Sequence, residues 1–396
     1  MKMLKKIFRI FLSVLMMSLG LPVCALADNT ESNLQFNSDG QFKILVFADI
    51  QDDEDVEQST LQLMAEALDA CEPDLVVLLG DNTVATGYEN QYKAIEAVTE
   101  PIRSRNIPYA MVFGNHDQEQ GVDKETLLAV YQEFGCLTYD ADPGLYGCGT
   151  CNLPILSSDG TETAFNLWFI DSGSQNSDAD VGGYDYVHED QIQWYKDTAS
   201  ALKEANGGET VPAINFQHIV IPEIYDTLYN RVSSSVSKSL TLNFMGNSYS
   251  YIPKFTGYTG LVCEAPCPPY VKDGQLDAWL ETGDIIAAFH GHDHINTYEA
   301  ECSGIDVINV PSAGSNAYYR SYTRGVGLIT LDESSPENYE YELLHIYDFA
   351  LQDGSLLGDV EGGMSKISAF FNKLFYNFLT GAQSLLNTIV SPFRTK

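Results

Sequence analysis

The chain has 396 residues, 55 acidic and 21 basic, and its formal net charge at pH 7 is −34. So acidic a protein does not bind the nucleic-acid backbone nonspecifically, and its charge does not favour anionic substrates unless a metal supplies local positive charge. With 44% hydrophobic residues, it has enough apolar material for one large α/β domain or two smaller ones.

The first 27 residues are predicted to be a secretory signal peptide rather than part of the fold. Four basic residues within 2–9 precede an apolar run over 10–23, and Ala25-Leu-Ala27 is a small-x-small cleavage site. The alternative is an uncleaved anchor, for which the apolar run is short. Cleavage after Ala27 would give a secreted or cell-surface chain with 17 basic and 55 acidic residues, a net charge of −38.

Cleavage would leave seven cysteines, two pairs of which are close in loop-like sequence: Cys148 with Cys151, and Cys263 with Cys267. An exported protein can form disulfides. Local bridges within these pairs, or one from Cys136 to the first pair, are therefore expected. A structural zinc site built from both pairs is the alternative. The odd count leaves at least one free thiol.

A polar lead-in over 28–41 is followed by segments in which apolar runs alternate with helical periodicity. Strands are predicted over 42–48, 75–79 and 109–113, with a helix capped by Ser59 or Thr60 and a second helix over 92–103 between them. This order indicates parallel βαβ units. The later predicted elements are helices over 123–134, 189–203 and 275–281, and strands over 164–170, 211–217, 284–289, 305–310, 325–331 and 339–347.

Two segments stand apart from this alternation. One lies within the predicted main domain over 42–350, and the other follows it. Residues 219–272 read as a long irregular insertion, and a loop of this length is usually functional. Residues 365–393 form a strongly amphipathic helix, with apolar side chains at i, i+3 and i+4. Its apolar face is expected to pack on the domain. Peripheral contact with a membrane surface is the alternative.

Polar side chains follow five of the buried apolar runs, at the point where each strand ends. In chain order they are Asp49 and Gln51, then Asp81, then Asn115, His116 and Asp117, then His218, and finally His292 and His294. Singly, each could be a turn residue, a cap or a structural histidine. Because the carboxyl ends of parallel strands converge, together they form an oxygen and nitrogen ligand set for divalent metals. Asp81, in the middle, is placed to bridge two ions.

These blocks resemble the calcineurin-like metallophosphoesterase superfamily, whose motifs run Asp-x-His, Gly-Asp, Gly-Asn-His-Asp/Glu, His and Gly-His-x-His. Here they read Asp49-Ile-Gln51, Gly80-Asp81, Gly114-Asn-His-Asp117, His218 and Gly291-His-Asp-His294. Order and spacing match over about residues 42–296. The segment Phe169-Ile-Asp-Ser-Gly173 further resembles the secreted, purple-acid-phosphatase-like branch.

The resemblance implies an α/β fold, a four-layer αββα sandwich of two mixed sheets flanked by helices. It implies two divalent ions (manganese, zinc or iron), one held by Asp49, Asp81 and His294 and the other by Asp81, Asn115, His218 and His292. A hydroxide bridging the ions would attack a small phosphate ester. His116 would be the catalytic histidine that is not a ligand, oriented by Asp117, acting as acid and stabilising the developing charge.

Two positions depart from the family pattern. Gln51 stands where the family has a ligand histidine, and an amide oxygen is a weaker ligand for zinc or iron than imidazole. Gln51 binds through its carbonyl, or the first metal site is looser, or Asp52 or Asp53 compensates. No tyrosine lies three residues after Asp81. The iron–tyrosinate pair of true purple acid phosphatases is therefore not expected, and the protein should be colourless.

The sequence thus predicts a secreted, metal-dependent hydrolase of phosphomonoesters or phosphodiesters. One alternative is a nucleotide or phospholipid phosphodiesterase whose specificity is set by the 219–272 insertion. Another is a catalytically impaired protein that binds metal or phosphate, in which Gln51 disables the first metal site.

The signal peptide can be tested directly. A host that exports the protein should release a chain whose first residue is Asp28, because the small residues before it fit the signal-peptidase site. N-terminal sequencing and intact mass of the exported protein measure this. Deletion of residues 2–23 should keep the protein inside the cell. Exported protein that retains Lys2 would contradict the predicted cleavage.

Overall fold

The computed structural model describes residues 34–119, 121–236, 239–244, 247–352 and 362–390. The predicted signal peptide and the first residues of the polar lead-in lie outside the described residues. The rest of the chain is an α/β structure built on two large mixed sheets.

The first sheet contains the three parallel strands that the N-terminal half predicts. Strands β1, β2 and β3 are parallel neighbours, and β14 and β15 extend the sheet antiparallel beyond β1, in the order β15-β14-β1-β2-β3. The strands span Gln41–Phe47 (β1), Leu75–Leu79 (β2), Tyr109–Val112 (β3), Gly325–Asp332 (β14) and Tyr339–His345 (β15).

The second sheet has seven strands in the order β10-β12-β13-β11-β6-β5-β4. Its parallel centre is β5, β6, β11 and β13, with antiparallel strands at both edges. The strands span Cys151–Leu156 (β4), Thr163–Phe169 (β5), Ala213–Phe216 (β6), Tyr258–Thr259 (β10), Ile285–His290 (β11), Glu299–Cys302 (β12) and Ile305–Asn309 (β13). Strands β4 and β10, at the two edges, and β12 were not predicted, because none of them has a long apolar run.

Helices cover the outer face of each sheet and complete four layers. Against the first sheet lie Gln58–Cys71 (α1), Tyr88–Arg103 (α2), Lys124–Glu133 (α3), Ile346–Leu351 (α7) and the start of Lys366–Val390 (α8). Against the second lie Glu189–Ala205 (α4), Ile224–Leu228 (α5) and Gln275–Thr282 (α6). The α/β sandwich that the resemblance implied is confirmed.

The strand periodicity of two divides the apolar residues between two cores. In β1, Ile44 and Val46 point into the core between the sheets, whereas Leu45 and Phe47 point toward the helices. Phe289 of β11 lies in the core between the sheets, where its ring packs 5.8 Å from Phe216. Because both faces of β1 are buried over residues 44–47, that part of its sequence is a continuous apolar run.

Three sequence-based predictions are wrong in detail. Residues 219–272 are not simply irregular: they contain α5, β10 and a three-stranded sheet of Tyr229–Val232 (β7), Asn247–Pro253 (β9) and Leu240–Phe244 (β8). Helix α1 is not capped by Ser59 or Thr60, since it begins at Gln58 and the Ser59 hydroxyl lies 2.7 Å from that of Ser315. The cysteines at 71, 136, 148, 151, 263, 267 and 302 are all free thiols, so the expected local disulfides are not formed.

Helix α8 also departs from expectation in the face it presents to the domain. Its large apolar side chains, including Phe371 and Phe378, are exposed, and the side chains that contact the domain include Tyr376, Gln383 and Asn387. Within the described part of the chain, no helix combines the length and apolar character required to cross a membrane.

Truncation of Phe289 to alanine tests the importance of the core between the sheets. We expect Phe289→Ala to lower the free energy of unfolding by about 3–5 kcal/mol, because it removes a buried ring and leaves a cavity. The matched control Leu280→Ala removes a half-exposed side chain from α6 and should cost about 0.5 kcal/mol or less. Urea unfolding followed by circular dichroism measures both. Equal losses would contradict the packing described above.

Candidate metal centre

The carboxyl ends of five strands, three from the first sheet and two from the second, meet at one place. Asp49 and Asp81 follow β1 and β2, and His218 and His292 follow β6 and β11. The His218 Nε2 atom lies 3.1 Å from Asp81 Oδ2 and 3.9 Å from Asp49 Oδ1. The Nε2 atom of His294 lies 3.4 Å from the same Asp49 oxygen. Side chains from different sheets therefore form one cluster.

Two overlapping groups in this cluster have the composition of metal sites. In each, one donor atom per residue lies within 4.8 Å of the others, and all five residues are buried. One group is Asp81, His218 and His292, and the other is Asp49, Asp81 and His294. Asp81 belongs to both groups, as the sequence-based prediction of a residue that bridges two ions requires. Carboxylate and imidazole donors suit borderline divalent metals.

Buried donor atoms without partners show that this cluster fits a cation. Both side-chain atoms of Asn115 and the Nε2 atom of His292 have no hydrogen-bond partner among the described residues. Leaving such groups buried and unpaired is costly. Coordination of a metal by the Asn115 oxygen and the His292 nitrogen would satisfy these two atoms, together with the Asp81–His218 group.

Two histidines are held with Nε2 turned toward the carboxylates. The Nδ1 atom of His218 lies 3.0 Å from the carbonyl oxygen of Leu79, and that of His294 lies 2.9 Å from the carbonyl oxygen of Tyr318. Donation from Nδ1–H to a carbonyl leaves the Nε2 lone pair free, the arrangement found in metal-bound histidines. The Tyr318 ring also stacks on His294, with 4.1 Å between centroids.

A second tyrosine, which sequence reasoning missed, completes the aromatic wall of the site. The ring of Tyr184 packs edge-on against His292, with 4.3 Å between centroids. Tyr184 lies in a polar loop before α4 and carries no sequence signal that would single it out.

The backbone at the site adopts a conformation that is rare for residues with side chains. Among the described residues, seven other than glycine have positive φ, and four of them are Asp49, Gln51, Asp81 and His292. Such conformations are costly and cluster where function requires them. In each case the turn that follows the strand directs a polar side chain toward the end of a neighbouring strand.

Glycines permit the close approach of the loops. A Cβ atom on Gly114 would overlap the carboxylate and the backbone nitrogen of Asp81, and one on Gly291 would lie 2.6 Å from an Asp49 carboxylate oxygen. Both glycines precede a predicted ligand by one residue. The glycines in the Gly-Asn-His-Asp and Gly-His-x-His blocks are therefore explained by contact between loops.

The predicted role of Asp117 is not the one in the structure. Its carboxylate accepts backbone hydrogen bonds from Asn82, Thr83 and Gly114 at 2.7–3.1 Å, so it fixes two loops instead of orienting His116. The residue that contacts the His116 ring is Glu119, whose Oε2 lies 2.6 Å from Nδ1. Sequence reasoning missed Glu119 because it lies in a polar loop, beyond the recognisable block.

Gln51 points its amide nitrogen at the bridging carboxylate. Its Nε2 atom donates to Asp81 Oδ2 at 2.8 Å, and the side chain is buried. In this orientation the Gln51 side chain presents a hydrogen-bond donor, and not a metal-binding oxygen, to the side of the cluster that contains Asp49 and His294. Asp52 does not replace it, since Asp52 belongs to neither ligand group and accepts from the backbone of Glu57.

The electrostatics of the cluster follow from burial and from the close carboxylates. Burial raises the pKa of Asp49 and lowers that of His292. Burial alone would raise the pKa of Asp81, but the adjacent His218 outweighs it and holds this pKa low. Burial also lowers the pKa of His218, and the charges of Asp81 and Asp49 more than reverse that shift. The buried carboxylates of Asp49 and Asp81 thus require positive charge close to them, which a bound cation would supply.

A two-sheet sandwich with carboxylate, amide and imidazole groups at converging strand ends defines a class of metal-dependent hydrolases. The sequence profile of the calcineurin-like phosphoesterases matches residues 42–296, which include every residue of the cluster. The chain belongs to the calcineurin-like phosphoesterase family.

Several characterised or named proteins are similar over most of the chain. Two from Arabidopsis thaliana, named probable inactive purple acid phosphatases 14 and 29, are 27% and 25% identical. The matches cover 78% and 82% of this chain and 79% and 85% of those proteins. Phosphatase DCR2 of Saccharomyces cerevisiae is 26% identical, over 68% of this chain and 47% of its own length.

The close approach at Gly114 can be tested by adding one methyl group. We expect Gly114→Ala to weaken metal binding at least tenfold, because the new atom displaces the Asp81 carboxylate. Titration calorimetry with Mn²⁺ measures the affinity, and circular dichroism checks the fold. Gly381→Ala is the control, since a Cβ there meets no atom within 4 Å. Unchanged affinity in Gly114→Ala would show that the loops do not need this contact.

Proposed function

We propose that this protein is a metal-dependent phosphoester hydrolase whose metal centre is the cluster at the strand ends. The observation that carries the proposal is the shared Asp81 carboxylate, with the unpartnered donors of Asn115 and His292 beside it. Membership of the calcineurin-like phosphoesterases supports the same chemistry.

The residues divide into one complete ligand set and one incomplete set. Asp81, Asn115, His218 and His292 would hold one divalent ion through two imidazoles, an amide oxygen and a carboxylate. Asp49, Asp81 and His294 would hold the second, with Gln51 beside it as a hydrogen-bond donor. Divalent ions at these positions supply charge neutralisation for a phosphate ester and activation of water.

His116 is the proposed acid. Its ring is half exposed, in contrast to the buried histidines of the cluster, and its backbone N–H donates to Asp81 at 2.7 Å. Contact of Nδ1 with Glu119 fixes the ring and leaves Nε2 for the substrate. From there His116 would donate a proton to the leaving oxygen, while Glu119 takes the orienting part predicted for Asp117.

A second candidate function, a metal-binding protein with impaired catalysis, has a specific observation in its favour. The Gln51 amide donates to the oxygen of Asp81 that lies nearest His218, so it competes with a metal for that carboxylate. Three similar Arabidopsis thaliana proteins are named probable inactive. In this version a single ion would occupy the complete set and bind phosphate without turnover.

We also propose that the enzyme acts outside the cell, as one catalytic domain over residues 42–350. Support for export comes from the basic, apolar and small-residue segments of residues 1–27. Support for the domain comes from the family match within it and from the two sheets that share one core.

Metal content and turnover, measured on the same preparations, distinguish the two functions. Wild type loaded with manganese, zinc or iron should hydrolyse an aryl phosphate or an aryl phosphodiester, and Asp81→Ala should lose both metal and activity. His116→Ala should retain metal while its turnover falls about 10²–10⁴-fold. Gln51→His should retain or raise activity, since imidazole is the better ligand. Elemental analysis gives the ions per chain.

Asp69→Ala is the matched carboxylate control, because Asp69 is exposed and pairs with Arg105 on the surface. It should behave as wild type. Equal turnover in wild type and Asp81→Ala would overturn the enzyme proposal. If the wild type instead held one ion per chain and showed no turnover, and Gln51→His held two ions and turned over substrate, the protein would be a binding protein.

A further inference from the structure

Helix α8 is fastened to the domain by its polar side chains. Asn387 accepts from the backbone N–H of Gly257 at 2.8 Å and donates to the carbonyl of Tyr258 at 2.9 Å. Gln383 donates to the carbonyl of Phe255. The hydroxyl groups of Tyr376 and Thr297 form a hydrogen bond of 3.2 Å. Ala369 is fully buried against the domain. Since Ala369, Tyr376 and Gln383 are seven residues apart, they lie on one face of the helix.

The opposite face is apolar and exposed. Its large side chains leave between 42% and 75% of their surface open. They are Ile367, Phe370, Phe371, Leu374, Phe375, Phe378, Leu385 and Leu386. Together they expose on the order of 800 Å² of apolar surface, more than a typical monomer shows in one patch. The ring of Phe255, whose carbonyl accepts a hydrogen bond from Gln383, is also exposed.

The charge of this segment differs from that of the rest of the chain. The sequence has 55 acidic residues, and none of them lies between 365 and 396. The charged residues there are Lys366, Lys373, Arg394 and Lys396. Helices that lie in a membrane interface have one face rich in phenylalanine and leucine and a polar face opposite to it, and charged carboxylates are unfavourable in contact with the apolar interior of a bilayer. The composition therefore fits a lipid surface.

A second copy of the chain fits this face less well. Each chain carries a net charge of −34, so two copies repel each other as they approach. A bilayer of zwitterionic lipid has no net charge and imposes no such cost. Apolar burial, with little help from electrostatics, would then hold the protein.

We propose that α8 is an in-plane membrane anchor whose apolar face inserts into the surface of a phospholipid bilayer while its polar face holds the domain. The helix contacts Thr297, three residues beyond His294, and its Phe375 ring packs 5.0 Å from that of Tyr322. These contacts join α8 to the domain that holds the metal centre. The anchor is independent of the reaction at that centre.

Vesicle flotation of the full chain tests the anchor. Phosphatidylcholine vesicles should carry the wild type, and 0.5 M NaCl should not release it. Phe371→Glu/Phe378→Glu should reduce the bound fraction at least tenfold, since both carboxylates would enter the interface. Asn377→Glu/Ser384→Glu makes the same charge change at exposed polar positions of the same helix and should bind as wild type.

Circular dichroism and manganese binding confirm that the variants are folded, and both should equal wild type. Absence of wild type from phosphatidylcholine vesicles would overturn the proposal, as would equal binding by the two double variants. Binding only to vesicles with phosphatidylserine, lost in 0.5 M NaCl, would also overturn it in favour of an electrostatic contact. A dimer in light scattering that Phe371→Glu/Phe378→Glu dissolves, with no vesicle binding, would assign the face to a second copy.

Discussion

The carboxylate of Asp81 is the group on which the rest of the structure depends. It is buried at the end of β2, accepts from the His116 backbone and the Gln51 amide, and lies 3.1 Å from the His218 ring of the other sheet. A buried charge must be neutralised by close partners. The loops after β1, β3 and β6 supply these partners, so their paths depend on how this one charge is surrounded.

This demand explains the unusual backbone at the strand ends. Positive φ at Asp49, Asp81 and His292, and glycine at 114 and 291, allow the loops to approach within contact of the carboxylates. These conformations are individually unfavourable. The apolar core between the sheets stabilises the fold and holds the strained turns in place. The cost at the site is thus offset by ordinary packing elsewhere.

The two halves of the cluster are unequal. The side of Asn115, His218 and His292 has buried donors without partners, as a metal site requires, whereas on the other side Gln51 already donates to Asp81. This inequality is what distinguishes the two proposed functions of the protein. Hydrogen bonds also determine the orientation of helix α8: its polar face bonds to the domain, and its apolar face therefore remains exposed.

The sequence alone determined the parallel strands, the family and the residues of the cluster. Each depends on local patterns: apolar runs that end in glycine or a polar block, such as Gly114-Asn-His-Asp117. Tertiary structure decided what depends on contacts between distant segments. In the folded chain the Asp117 carboxylate accepts hydrogen bonds from the backbone of Asn82 and Thr83, and Glu119 contacts the His116 ring. Residues 219–272 contain a small sheet. Tertiary structure also reversed the face by which α8 packs, because amphipathic periodicity identifies two faces but not the hydrogen bonds that choose between them.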